Sequence, residues 1–179
     1  MNRKWVFALV AAAAFLGLAP AGWAGYADFG LAAGYQRMWD GAFVGGGYLR
    51  WDWREVLMVE TRVLYHSEDA GNASVEMIPI QLSGMVFVLR RDWMLSPFLL
   101  GGVGMYISRT VPDQGDSESN FDFGWHLGLG CDWNLNDRIF LEGDFRYTWL
   151  DVDFSNKTIG EKLSDFDSWM TTAGIGFRL

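Results

Sequence analysis

Apolar side chains return at every second position along most of this chain. In RIFLEGDFRYTWL, residues 138–150, Ile139, Leu141, Phe145, Tyr147 and Trp149 hold the odd positions, and Glu142, Asp144 and Arg146 hold even ones. A period of two separates the side chains onto the two faces of a β-strand. The same alternation runs from Phe29 to Gln36, Phe43 to Trp53 (blurred by glycines 45–47), Leu57 to His66, Ile78 to Val88, Phe121 to Trp133, and Trp169 to Leu179. The segment 96–108 is strand-like but apolar on both faces, so its phase stays unassigned. Together these predict eight strands.

The connections sort by length. DWRE (52–55), RRDW (90–93) and NLND (134–137) read as tight turns rich in turn-forming residues. HSEDAGNASVE (66–76), RTVPDQGDSESN (109–120) and DVDFSNKTIGEKLSD (151–165) read as long polar loops, and only MWDG (38–41) is short on that side. Short turns at one end and longer loops at the other are the pattern of an outer-membrane barrel.

The charges decide which face meets lipid. An arginine held against mid-bilayer lipid costs roughly 2–4 kcal/mol on a barrel wall. Arg62 and Arg146 alone would consume much of a typical domain stability of about 5–15 kcal/mol. The even face must therefore point into the barrel, which puts Glu60, Arg62, Glu142, Asp144 and Arg146 near mid-depth in the lumen, with His126 a candidate sixth member. Strands 3 and 7, which carry five of them, lie opposite each other in an eight-stranded ring. Arg50, Asp52, Asp132 and Arg178 are expected as a separate layer nearer the periplasm. Eight strands leave an interior that side chains can fill, so the expected arrangement is a salt-bridged plug, with an ion or proton path as the alternative.

The aromatic residues agree. Trp51, Trp53, Trp93 and Trp133 sit beside the tight turns, and Trp39, Tyr65, Trp149 and Trp169 sit beside the other connections. Two aromatic girdles are expected where rings meet the two membrane interfaces. The competing arrangement is a secreted lipocalin-type barrel with its apolar face inward. Composition argues against it: after the first 24 residues only Lys157 and Lys162 remain to hydrate a surface, and the polar face is rich in glycine.

The N-terminus reads as an export signal. Arg3 and Lys4 precede an apolar run to Leu18, and APAGWA supplies small residues at Gly22 and Ala24. Residues 1–24 are expected to be a signal peptide and 25–179 one barrel domain. Without Arg3 and Lys4 the net charge becomes −10, which excludes the basic surface that nucleic acid requires. Cys131 is the single cysteine, so no disulfide framework is possible, and it is expected to face lipid.

VETRVLY (59–65), LEGDFRYTWL (141–150), SPFLLGGVGMY (96–106) and the terminal TTAGIGFRL resemble the small eight-stranded outer-membrane barrels of the OmpA, OmpX and OmpW type. The resemblance implies an all-β, eight-stranded antiparallel transmembrane up-and-down barrel in the outer membrane. It implies contact with membrane lipid and lipopolysaccharide, and recognition by the barrel-assembly machinery through the C-terminal strand. The chain departs from the pattern at its end, where Leu179 stands for the usual aromatic and Phe177 is the nearest ring.

The expected role is non-enzymatic: envelope structure or surface binding through the outer loops, as a monomer, with no cofactor and no metal. The acids Glu68, Asp69, Asp113, Asp116, Glu118, Asp151, Asp153 and Asp165 could hold Ca²⁺ or Mg²⁺, but no calcium-loop spacing is present and a solvated acidic surface suffices. The alternative function, implied by the OmpW resemblance, is passage of small or hydrophobic solutes through a narrow channel or lateral opening. A third, lipid A modification, needs a nucleophile beside a base. His66 and Ser67 are neighbours that face opposite ways, and the same-face neighbours of His126 are Gly124 and Gly128.

Overall fold

The computed structural model describes residues 27–37, 41–54, 56–69, 73–112, 118–151 and 166–179. The proposed signal peptide and Trp39 lie outside the described residues. Eight strands close into one antiparallel barrel in chain order: β1 (Ala27–Arg37), β2 (Ala42–Arg54), β3 (Leu57–Asp69), β4 (Ala73–Phe87), β5 (Leu95–Pro112), β6 (Glu118–Asn134), β7 (Ile139–Asp151) and β8 (Phe166–Arg178). Closure follows from lipid chemistry, since a membrane-exposed sheet edge would leave backbone N–H and C=O groups with no partner.

Paired positions measure the stagger of the strands. Stepping from Met77 through His66, Val44, Gly34, Thr172, Asp144, Gly130 and Phe98 returns to β4 at Phe87, ten residues from the start. A stagger of ten over eight strands corresponds to a tilt of about 40° for ordinary strand rise and spacing.

The alternation runs as expected from the sequence. Leu31, Phe43, Leu82, Leu99, Val103, Phe121, Phe123, Trp125, Leu127 and Leu129 lie exposed on the outer wall, while Glu60, Arg62, His126 and Arg146 have no accessible surface. The segment whose phase was open is now assigned. Phe98, Leu100 and Tyr106 of β5 point inward and are buried, while Leu99 and Val103 face outward.

Two expectations require correction. First, two long outer loops are largely strand. Serine 67 pairs with Glu76, Glu68 with Val75 and Asp69 with Ser74, and on the next hairpin Ser108 pairs with Asn120 and Thr110 with Glu118. Above the bilayer, water satisfies side chains on both faces, so the ladder continues where the binary pattern stops. The lumen also holds apolar side chains. Met58, Met85, Phe87, Phe98 and Leu100 form one buried apolar cluster, and Ala32, Tyr48 and Phe140 form another. Second, the lower charged layer does not form as a separate unit, because Arg50 joins the central network.

Among the described residues, Trp53, Trp93, Trp133 and Tyr65 of the expected girdles are exposed on the outer wall. Trp53, Trp93 and Trp133 are more than half exposed at the tight-turn end. At the other end Trp149 stacks on Trp125 at 4.1 Å between ring centroids, and Trp169 lies 5.8 Å from Tyr35. Tyr65 is exposed there and donates from its hydroxyl to Glu76 at 3.2 Å.

Candidate functional site: the charged lumen

The inward positions of β2, β3, β6 and β7 bring three guanidinium groups and four carboxylates together. Glu60 is the hub. Its Oε2 accepts from Arg50 Nε at 2.8 Å and Arg62 Nη2 at 3.1 Å, and its Oε1 accepts from Arg62 Nε at 3.1 Å and Arg146 Nη2 at 2.6 Å. Asp144 accepts from Arg62 Nη1 at 2.7 Å and from Arg146 Nε at 3.0 Å. Glu142 receives both Arg50 and Arg62, and Asp132 receives Arg50 Nη1 at 3.1 Å. All seven side chains are buried.

Each guanidinium finds further partners. Arg62 Nη1 donates to Thr172 Oγ1 at 2.8 Å, and that hydroxyl donates to Asp144 at 2.9 Å. Arg146 Nη1 donates to Gln81 Oε1 at 3.0 Å. Arg50 lies over aromatic faces, with Cζ 4.6 Å from the Tyr48 ring centroid and 5.4 Å from that of Phe98. Planar guanidinium groups suit both roles, because they offer five donors in a fixed fork and can stack on rings. The apolar clusters and the charged network therefore share one interior.

Five of the six residues placed in the lumen by sequence form this network directly. The sixth, His126, stands one hydroxyl away. Its Nε2 is 2.8 Å from Ser83 Oγ, which also accepts from Arg146 Nη1 at 3.4 Å. The sequence reasoning missed this serine–histidine pair because the two residues lie on β4 and β6, 43 positions apart. Its chemistry is restricted. Both residues are buried, and His126 Nδ1 has no partner among the described residues, so no carboxylate orients the ring as a catalytic base requires.

The tight-turn end of the barrel holds a residue that sequence reasoning also missed. Arg91, in the turn between β4 and β5, folds under the barrel and pairs with Asp28 and Asp52. The turn is held in place by β6 and β8. Asn134 Nδ2 donates to the Arg91 carbonyl at 2.8 Å, and Arg178 donates to Asn134 Oδ1 at 2.6 Å and the Arg91 carbonyl at 3.3 Å. Ser96 Oγ lies 3.1 Å from the carbonyl of Trp93. Of the four residues expected as a lower layer, Arg50 and Asp132 thus belong to the centre, while Asp52 and Arg178 belong to the tight-turn end. The stagger explains the error, because a tilted strand places residues of equal sequence depth at different heights.

Among the described residues, no group of three or more His, Cys, Asp or Glu is arranged to hold a metal ion. The β3–β4 wall shows one discontinuity. Val63 pairs with Ile80 and His66 with Met77, but no pairs are formed between them, where Pro79 lacks an N–H to donate.

A family model described as "Outer membrane protein beta-barrel domain" matches residues 6–177. Solved structures share the fold at low identity. Neisserial surface protein A is 12% identical, with 86% of this chain and 96% of that one covered and a TM-score of 0.68. The outer membrane protein OprG of Pseudomonas aeruginosa is 13% identical, with 87% and 96% covered and a TM-score of 0.64. Ail, the attachment invasion locus protein of Yersinia pestis, solved with the heparin analogue sucrose octasulfate, is 15% identical, with 87% and 99% covered and a TM-score of 0.58. A search of curated proteins finds no match. With the family model spanning nearly the whole chain and the closed eight-stranded barrel observed, the chain belongs to the outer membrane protein β-barrel family and is a protein of the outer membrane.

Proposed function

We propose that this protein is a closed, non-enzymatic barrel that serves envelope structure or surface binding through its outer segments. One observation carries the reading: Arg50, Arg62 and Arg146 and their four carboxylate partners bridge the lumen with every member buried. Planar-bilayer recording of the refolded chain tests it. A trace without defined conductance steps supports the closed scaffold, and reproducible steps overturn it.

The outer segments set the kind of surface. Residues 66–76, 109–120 and 151–165 together hold ten acids and three lysines or arginines. A sulfated ligand of the kind solved with Ail would be repelled by that charge, so its ligand does not carry over. The nearest surroundings are outer-membrane lipid and the lipopolysaccharide layer. We infer further that residues 1–24 are removed on export, that the assembly machinery reads the C-terminal strand with Ile175, Phe177 and Leu179, and that the barrel is monomeric. Mass measurement of the chain from outer-membrane extracts tests the cleavage site.

The β3–β4 discontinuity favours a second reading, lateral passage of small hydrophobic solutes. That reading requires uptake that depends on this protein and falls when Pro79→Ala restores the N–H. Lipid A modification is the third reading. Its Ser83–His126 pair is sealed inside the wall, and an unchanged lipid A acyl profile on expression would dismiss it.

A further inference from the structure

Above the charged network, the lumen holds a histidine that the scaffold does not use. His66 is buried, and neither Nδ1 nor Nε2 has a hydrogen-bond partner among the described residues. Buried polar atoms are normally partnered, and an imidazole with both nitrogens orphaned calls for an explanation. The residue directly across the β3–β4 ladder is Met77, which also points inward and is buried. On the other side, His66 pairs with Val44, and Val44, Leu64 and Met170 form a buried apolar cluster beside it.

We propose that His66 and Met77 form a binding site for a soft monovalent metal ion, Cu(I), in the outer half of the lumen. Directly opposed residues on antiparallel strands have Cβ atoms about 4.5–5.5 Å apart, close enough for two long side chains to converge on one ion. A thioether and a neutral imidazole suit Cu(I), whereas Ca²⁺ and Mg²⁺ require oxygen ligands. Val44 and Leu64 of the neighbouring cluster supply an apolar surround, which suits a singly charged soft ion. Binding accounts for an imidazole nitrogen that the protein leaves unpartnered. It involves no redox step.

The test uses the refolded full barrel in detergent, in a Cys131→Ser background so that no thiol competes. Cu(I), kept reduced with ascorbate, is titrated against a chromogenic Cu(I) chelator. The expected result is one ion per chain, nitrogen and sulfur neighbours in the X-ray absorption spectrum, and a loss of affinity of roughly tenfold or more in both His66→Ala and Met77→Leu. Met77→Leu conserves volume, and an unheated-gel mobility shift verifies that each variant is folded. Met85→Leu, which alters a thioether in the lower apolar cluster, is expected to bind as the parent does. Absence of binding overturns the site, as does parental affinity in either His66→Ala or Met77→Leu, or an equal loss in Met85→Leu.

Discussion

Arg146 on β7 reaches across the lumen to Glu60 on β3, with Nη2 2.6 Å from Oε1, and Arg62 on β3 reaches back to Asp144 on β7 at 2.7 Å. The two strands share no backbone hydrogen bond and stand opposite in the ring. Reciprocal ion pairs thus brace the barrel across its interior, where the backbone ladder braces only neighbours.

Removing Arg62 or Arg146 leaves four buried carboxylates facing two guanidinium groups. Arg62→Ala and Arg146→Ala are each expected to destabilise the barrel by about 3–5 kcal/mol, the usual cost of breaking a buried pair. Urea titration of the refolded protein, followed by tryptophan fluorescence, measures it. Parental midpoints in both variants would rule out a structural network.

The carboxylates are not equivalent. Glu60 receives all three arginines, whereas Asp132 receives only Arg50, in a network with one more carboxylate than guanidinium groups. Glu60→Gln is therefore expected to lower the urea midpoint far more than Asp132→Asn. Equal losses would show that the hub position carries no special weight.

Two glycines separate the crowded lumen from the open wall. A Cβ built on Gly176 would stand 2.1 Å from Phe140 Cζ inside the barrel, while one on Gly143 would meet nothing within 4 Å. Gly176→Ala is expected to cost about 1–3 kcal/mol through overpacking, with partial rescue by Phe140→Leu. Gly143→Ala is expected to be neutral or slightly stabilising, since alanine loses less backbone entropy than glycine. Equilibrium unfolding of the two variants and the double mutant provides the comparison.

The outer wall carries its own test. Leu129, in the middle of the β6 outer face, and Leu135, in the turn after it, are both more than half exposed. Leu129→Arg is expected to cost about 2–4 kcal/mol in a lipid bilayer and Leu135→Arg about 0–1 kcal/mol. Folding measured in lipid vesicles distinguishes them. Equal costs would mean that this face is not embedded in hydrocarbon.

The sequence determined the strand number, the antiparallel barrel and the facing of most side chains. Those follow from local constraints: a period of two, and the cost of Arg62 or Arg146 in lipid. It also identified the charged residues of β3 and β7, because an eight-stranded ring must oppose them. Only the tertiary structure decided the phase of β5, since a segment apolar on both faces has no preferred side until Phe98 and Leu100 meet Met58, Met85 and Phe87. It likewise decided that Arg50 joins Asp132 and Glu142, that Arg91 pairs with Asp28, and that Ser83 meets His126. These contacts join strands that are not neighbours, or a turn to the wall. They depend on the closure and ten-residue stagger of the whole ring, a quantity that no single strand encodes.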